Sequence, residues 1–137
     1  MIYLEKDFLE IKFPELHENA GVRISFQRTL RLPDDGQVHH LPPGLGNFPL
    51  RHIEDFDLGK REELAQRGGV IMPMFQADAL WVNFESLPTY SEISYPIAIK
   101  IGAGKICAVS GDDWSSSLNR DPQDYVVVPE QPWIDGY

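Results

Sequence analysis

The chain has 137 residues, 42% hydrophobic and 24% charged, a composition that suits one globular domain and argues against a disordered or fibrous chain. Its 12 basic and 21 acidic residues leave a net charge of −9, so a nucleic-acid partner would be repelled over most of the surface. No apolar run approaches the roughly 20 residues that cross a bilayer, the N-terminus lacks the basic start and apolar run of a signal peptide, and the lone Cys107 cannot close an internal disulfide; the expectation is a cytoplasmic protein with no membrane partner.

Eleven prolines and eleven glycines punctuate the chain, leaving room for strands and for one or two helices at most. The clearest strand covers residues 22–32, where Val22, Ile24, Phe26, Leu30 and Leu32 alternate with Arg23, Ser25, Gln27, Thr29 and Arg31. Arg28 interrupts the apolar face. Pro33-Asp34-Asp35-Gly36 has turn chemistry and predicts a hairpin returning through residues 37–41. Residues 41–46, with two prolines and two glycines, lack the donors for a ladder and predict an ordered corner before a strand at 48–53.

The best helix is 60–67, capped by Asp57 and closed by Gly68-Gly69, with Leu64 and Ala65 facing inward. Short apolar runs at 70–74, 80–84, 96–101, 105–109 and 125–128 bring the strands to about seven, while residues 75–81 fit a helical turn or a strand start equally. Gly102-Ala103-Gly104 predicts a tight hairpin between 97–101 and 105–109. The closing stretch 129–137, which holds Trp133 and Tyr137, is expected to dock on the body or to continue into further protein.

Three stretches carry a resemblance: QRTLR-x-PDDG at 27–36, LPPGLG-x-FPLR at 41–51 and RDPQDY-xxx-PEQPW at 120–133. In these the chain resembles a family of uncharacterised bacterial proteins. The resemblance implies longer relatives, with this chain as an N-terminal portion, and brings no activity and no catalytic residue.

Gly102-Ala103-Gly104-Lys105 resembles the end of a phosphate-binding loop, but Ile106 stands where Ser or Thr would hold magnesium and a strand follows where a helix is needed. His39 and His40 point to opposite faces of any strand, yet one of them, with His52 or His17 and Glu54 or Asp55, would make a mononuclear metal site. Asp112, Asp113, Asp121 and Asp124 lie close in sequence, without the glycine and glutamate positions of an EF-hand loop. Cys107 reads as a small core hydrophobe, and no serine sits in a G-x-S-x-G elbow. Arg28, among apolar neighbours, has to find a carboxylate or carbonyls: it would tie the hairpin to an acidic loop such as Asp121 or Asp124, or line a pocket and grip an anionic ligand or a partner's carboxylate.

These readings predict a mainly β chain, with α+β as the alternative: residues 1–137 as one domain, an antiparallel sandwich or partly open barrel of about seven strands with one short helix. With no catalytic motif and no cofactor implied, the leading function is a non-enzymatic protein-interaction or assembly module. It would bind a protein partner or a second copy through Trp114, Trp133 and the proline-rich segment 41–50 that includes Phe48. The alternative is a small-molecule or metal-binding domain, or an enzyme, in which Arg28, His40 and Asp112, Asp113 or Asp121 converge in space.

Overall fold

The computed structural model describes residues 1–57, 59, 62–87 and 94–134. In chain order its strands are β1 (Ile2–Glu5), β2 (Phe8–Lys12), β3 (Gly21–Leu30), β4 (Arg51–His52), β5 (Val70–Ile71), β6 (Asp78–Ser86), β7 (Ile97–Ile99), β8 (Gly102–Ala103), β9 (Ile106–Cys107), β10 (Val126–Val128) and β11 (Trp133–Ile134). A 3-10 turn at Ile53–Asp55 and helix α1 (Glu62–Arg67) lie between β4 and β5. The fold is mainly β and antiparallel, with more and shorter strands than the seven expected. Among the described residues no helix is long and apolar enough to cross a membrane.

Five strands form an open sheet in the order β1-β2-β3-β6-β11, so it does not close into a barrel. Its spine is the antiparallel pairing of β3 with β6, from Val22↔Ser86 to Leu30↔Asp78. The period-2 pattern puts Val22, Ile24 and Phe26 on the same face as Phe84 and Val82. That face is covered by the two-stranded pair of β7 and β10. Val22, Phe84, Val126 and Val128 are buried there, and Ile97, Ile99 and Ile134 pack against them. Almost every member of this core is β-branched, which suits a pleated surface, and each fully buried side chain stabilises by about 1.5–3 kcal/mol.

The opposite face of β3 departs from the expected outward polar row. Ser25 and Thr29 are 2% and 6% exposed, and residues 42–44 lie over Thr29 and Gln27. Thr29 Oγ1 donates to the Pro43 carbonyl at 3.2 Å. Gly44 lies so close that a Cβ there would stand 3.0 Å from Gln27 Oε1 and 3.3 Å from the Trp81 ring. The chain then joins the edge of β3 not taken by β6: Arg28 N–H donates to Gly46 O, Leu45 N–H to Arg28 O and Phe48 N–H to Phe26 O, each at 2.8 Å. The return expected at 37–41 therefore comes at 45–48. Two consecutive prolines have no N–H to give a ladder, so pairing starts only after them.

A second hairpin is also re-partnered. The turn at Gly104 (φ 65°) joins β8 to β9, and Ala108 N–H still reaches Ile101 O at 2.8 Å. However, Ile97 and Ile99 pair with Val128 and Val126, so only the part of the expected hairpin nearest the turn forms. Residues 75–81 resolve into a turn, with Asp78 N–H bonded to Phe75 O at 2.9 Å, followed by the start of β6. Helix α1 ends as expected at Gly68 (φ 67°) and Gly69 (φ 116°). Leu64 is 41% exposed and does not pack inward as expected. The predicted first helical residues 60 and 61 and the Ala65 side chain lie outside the described residues.

Candidate functional site

Arg28 sits on β3 opposite Leu80. Its guanidinium carbon lies 4.7 Å from the centre of the Phe48 ring and its Nε 3.7 Å from Asp78 Oδ2. The Nε is buried with no hydrogen-bond partner among the described residues. The expected partners are thus corrected: Asp78, the first residue of β6 and two places before Leu80, takes the role, and Asp124 is held elsewhere. Phe48 is fully buried beneath this cation and cannot serve as an interface contact. It continues the β3 edge, which turns its ring onto the face shared by Phe26 and Arg28.

The other candidates are dispersed. His40 is exposed, while its neighbour His39 meets Asp35 through Nε2 at 2.8 Å. That contact, with the Gln37 N–H, holds the Asp35 carboxyl below the usual range. His17 packs near the Tyr95 ring, and His52 is in β4. Asp112, Asp113 and Asp121 are all exposed; Asp113 bridges to Ile106 and the Asp112 carbonyl accepts from Cys107 N–H. None of these residues is an ion-pair or hydrogen-bond partner of Arg28 among the described residues. Nor does any group of three or more His, Cys, Asp and Glu among them stand in an arrangement that could hold a metal ion.

Two charged clusters were not anticipated. Lys100, with only 6% of its side chain exposed, donates to Asp124 Oδ2, Ser115 Oγ and the Ser117 carbonyl at 2.5, 3.0 and 2.8 Å. Asp124 also accepts from Asn119 N–H. Lys100 first, and then that N–H, hold the Asp124 carboxyl below its ordinary range. Cys107 donates to the Asp124 carbonyl and is 1% exposed, so its thiol is out of reach of reagents even though backbone donors at Ser110 and Val109 pull its pKa down. On the far side of the sheet, Glu10 is 6% exposed between Arg23 and Lys12, at 2.6 and 3.0 Å, and both hold its carboxyl low. Its signal was the cross-strand pair Glu10↔Arg23, legible only once β2 is recognised as a strand.

Three surfaces remain open. The first is the outer edge of β1, where Ile2 is 70% and Tyr3 43% exposed. The second is at Trp133 on the opposite edge strand β11, 55% exposed; apart from it, Trp114 is 43% exposed, lies against Gly102 and has Lys100 Nζ at 5.3 Å from its ring. The third is a groove of about 460 Å³ where the β3–β6 pairing ends, lined by Leu30, Leu32, Leu41, Met74, Leu80 and Trp81 together with Arg31 and Asp78. In comparisons with known proteins the chain matches no family model, no curated sequence and no solved structure.

Proposed function

We propose that the chain is a non-enzymatic protein-interaction or assembly module that recognises its partner by adding a strand to the free edge of β1. The observation that carries this reading is the open five-stranded sheet, whose outermost strand pairs only with β2 among the described residues and leaves Ile2 and Tyr3 largely exposed. An edge strand offers a row of N–H and C=O groups to another chain, and side chains on alternate positions supply specificity. Met1 and Lys12 exchange both backbone bonds, so by alternation Tyr3 and Glu5 bond inward to β2, while Ile2 and Leu4 turn their backbone groups outward. Trp133 and Trp114 are further aromatic anchors on the surface. In the proline-rich segment the contact falls to Leu41 and Leu45, 48% and 54% exposed, since Phe48 and Leu50 are buried.

This reading places the protein in the cytoplasm, in keeping with its single cysteine. It also relates the chain to the bacterial proteins that the motifs at 27–36, 41–51 and 120–133 resemble.

Native mass spectrometry of the purified protein, followed by hydrogen exchange on any complex, tests the proposal. The expected result is a defined oligomer or hetero-complex in which the amides of Ile2 and Leu4 become protected. Ile2→Pro removes an outward N–H without deleting a bond to β2, so it is expected to dissolve the complex and leave the thermal midpoint nearly unchanged. A complex that survives Ile2→Pro, or one in which the outward amides of Ile2 and Leu4 of the parent exchange as fast as in the free chain, overturns the β1 assignment.

A further inference from the structure

Past the last pair of the spine, Leu30↔Asp78, one chain runs on through Arg31 and Leu32 while the other turns away at residues 75–78. The proline-rich segment closes the side of the opening with Leu41 and Pro42, which produces the groove of about 460 Å³. Around it Leu30, Leu32, Leu41 and Met74 are left 58%, 41%, 48% and 42% exposed. So many large apolar side chains gathered at one concave place mark a binding site rather than ordinary surface. Small-molecule sites span roughly 300–1,000 Å³, are mainly apolar, and use a few polar groups to orient the ligand.

The polar groups of this groove differ in whether they are engaged. Thr29 Oγ1 is spent on the Pro43 carbonyl. Asp78 is held by Arg28 at 3.7 Å and by the Phe75 N–H at 3.1 Å. Arg31 has no hydrogen-bond or ion-pair partner among the described residues. The groove therefore offers apolar walls and one uncommitted cation, although the molecule as a whole is acidic. Just beyond Arg31, Asp34 lines the adjoining shallow hollow with Pro33 and Gln76, and it disfavours a second negative charge.

We propose that this groove binds a small amphipathic monoanion: a free carboxylic acid whose apolar body lies against Leu41, Leu80 and Trp81 and whose carboxylate pairs with Arg31. The planar guanidinium fork matches a carboxylate in geometry as well as charge. The site shares only Leu41 with the partner-binding reading and none of the β1 edge, so the decanoate titration and the Ile2→Pro variant test the two separately.

The test is a titration of the full chain with decanoate, followed by two-dimensional NMR, alongside decanol, decyltrimethylammonium and decanedioate. Saturable one-to-one binding of decanoate is expected, with shifts centred on Leu30, Leu41, Leu80 and the Trp81 indole, and with weaker binding of the dicarboxylate. Arg31→Gln, a change at an exposed position, should weaken decanoate by about tenfold or more while leaving decanol unaffected, as loss of a charge-assisted hydrogen bond requires. The proposal is overturned by absence of saturation, by shifts lying elsewhere, by equal binding of the cationic analogue, or by an Arg31→Gln variant that binds decanoate as well as the parent.

Discussion

At the scale of single residues, two side chains show how burial and charge divide the work. Phe48 has no exposed surface and carries the Arg28 guanidinium on its face. Phe48→Ala would remove that contact and open a cavity, and is expected to cost about 3–5 kcal/mol, measured as a lowered urea midpoint. Lys100 and Asp124 form the one nearly dry ion pair among the described residues, and it ties the loop at 110–124 to the end of β7. Removing only Lys100 strands a buried carboxylate, so Lys100→Met should destabilise far more than the paired change Lys100→Met with Asp124→Leu. The pH dependence has a definite sign. The folded pKa of Asp124 lies below its unfolded value, so the pair contributes fully above about pH 4 and its contribution is lost as pH falls through the folded value. The gap in urea midpoint between the parent and Lys100→Met should therefore narrow on acidification; a gap that widens would refute the assignment.

At the scale of elements, pairing is governed by where two backbones can approach. Gly21 opens β3 against Lys12 of β2, and a Cβ there would stand 2.6 Å from the Ile11 carbonyl and 2.5 Å from the Leu87 side chain. The leucine can move, but the carbonyl belongs to a ladder. Gly21→Ala is thus expected to cost about 1–3 kcal/mol and to raise amide exchange across β1 and β2, because the hairpin must shift to make room. The elements predicted from alternation or turn chemistry alone fared unevenly for the same reason. The strand at 22–32 was legible because its apolar period is long and uninterrupted except at Arg28. The turn at Gly104 was legible too, whereas the return after Gly36 and the partner of Ile97 and Ile99 were not, because a turn specifies that the chain reverses and leaves the pairing of residues farther from it to the rest of the fold.

At the scale of the whole molecule, the sheet is covered on one face by β7 and β10 and on part of the other by the proline-rich segment, but the outer edges of β1 and β11 have no strand partner among the described residues. Short edge strands with charged neighbours are one way proteins restrain unwanted pairing, and Glu5 and Lys6 close β1 in this manner. A net charge of −9 also opposes association with an equally acidic molecule, so a partner less acidic than this chain is favoured at the β1 edge. The native mass spectrum bears on this scale: a complex held at the edge has few partners with matching charge, and its stoichiometry distinguishes a second copy from a different protein.

Composition, alternation and turn residues were sufficient to establish a mainly β, antiparallel chain with one short helix, a buried Cys107 and no local catalytic motif. These properties depend on neighbours within a few residues, where side-chain period and backbone chemistry act directly. The tertiary structure alone decided that Arg28 meets Asp78 and not Asp121 or Asp124, that Lys100 claims Asp124, that Phe48 is interior, and that Arg31 stands uncommitted beside an apolar groove. Each of those contacts joins residues far apart in the chain, and their partners are selected by burial and by competition among charges that come together only after the sheet has formed.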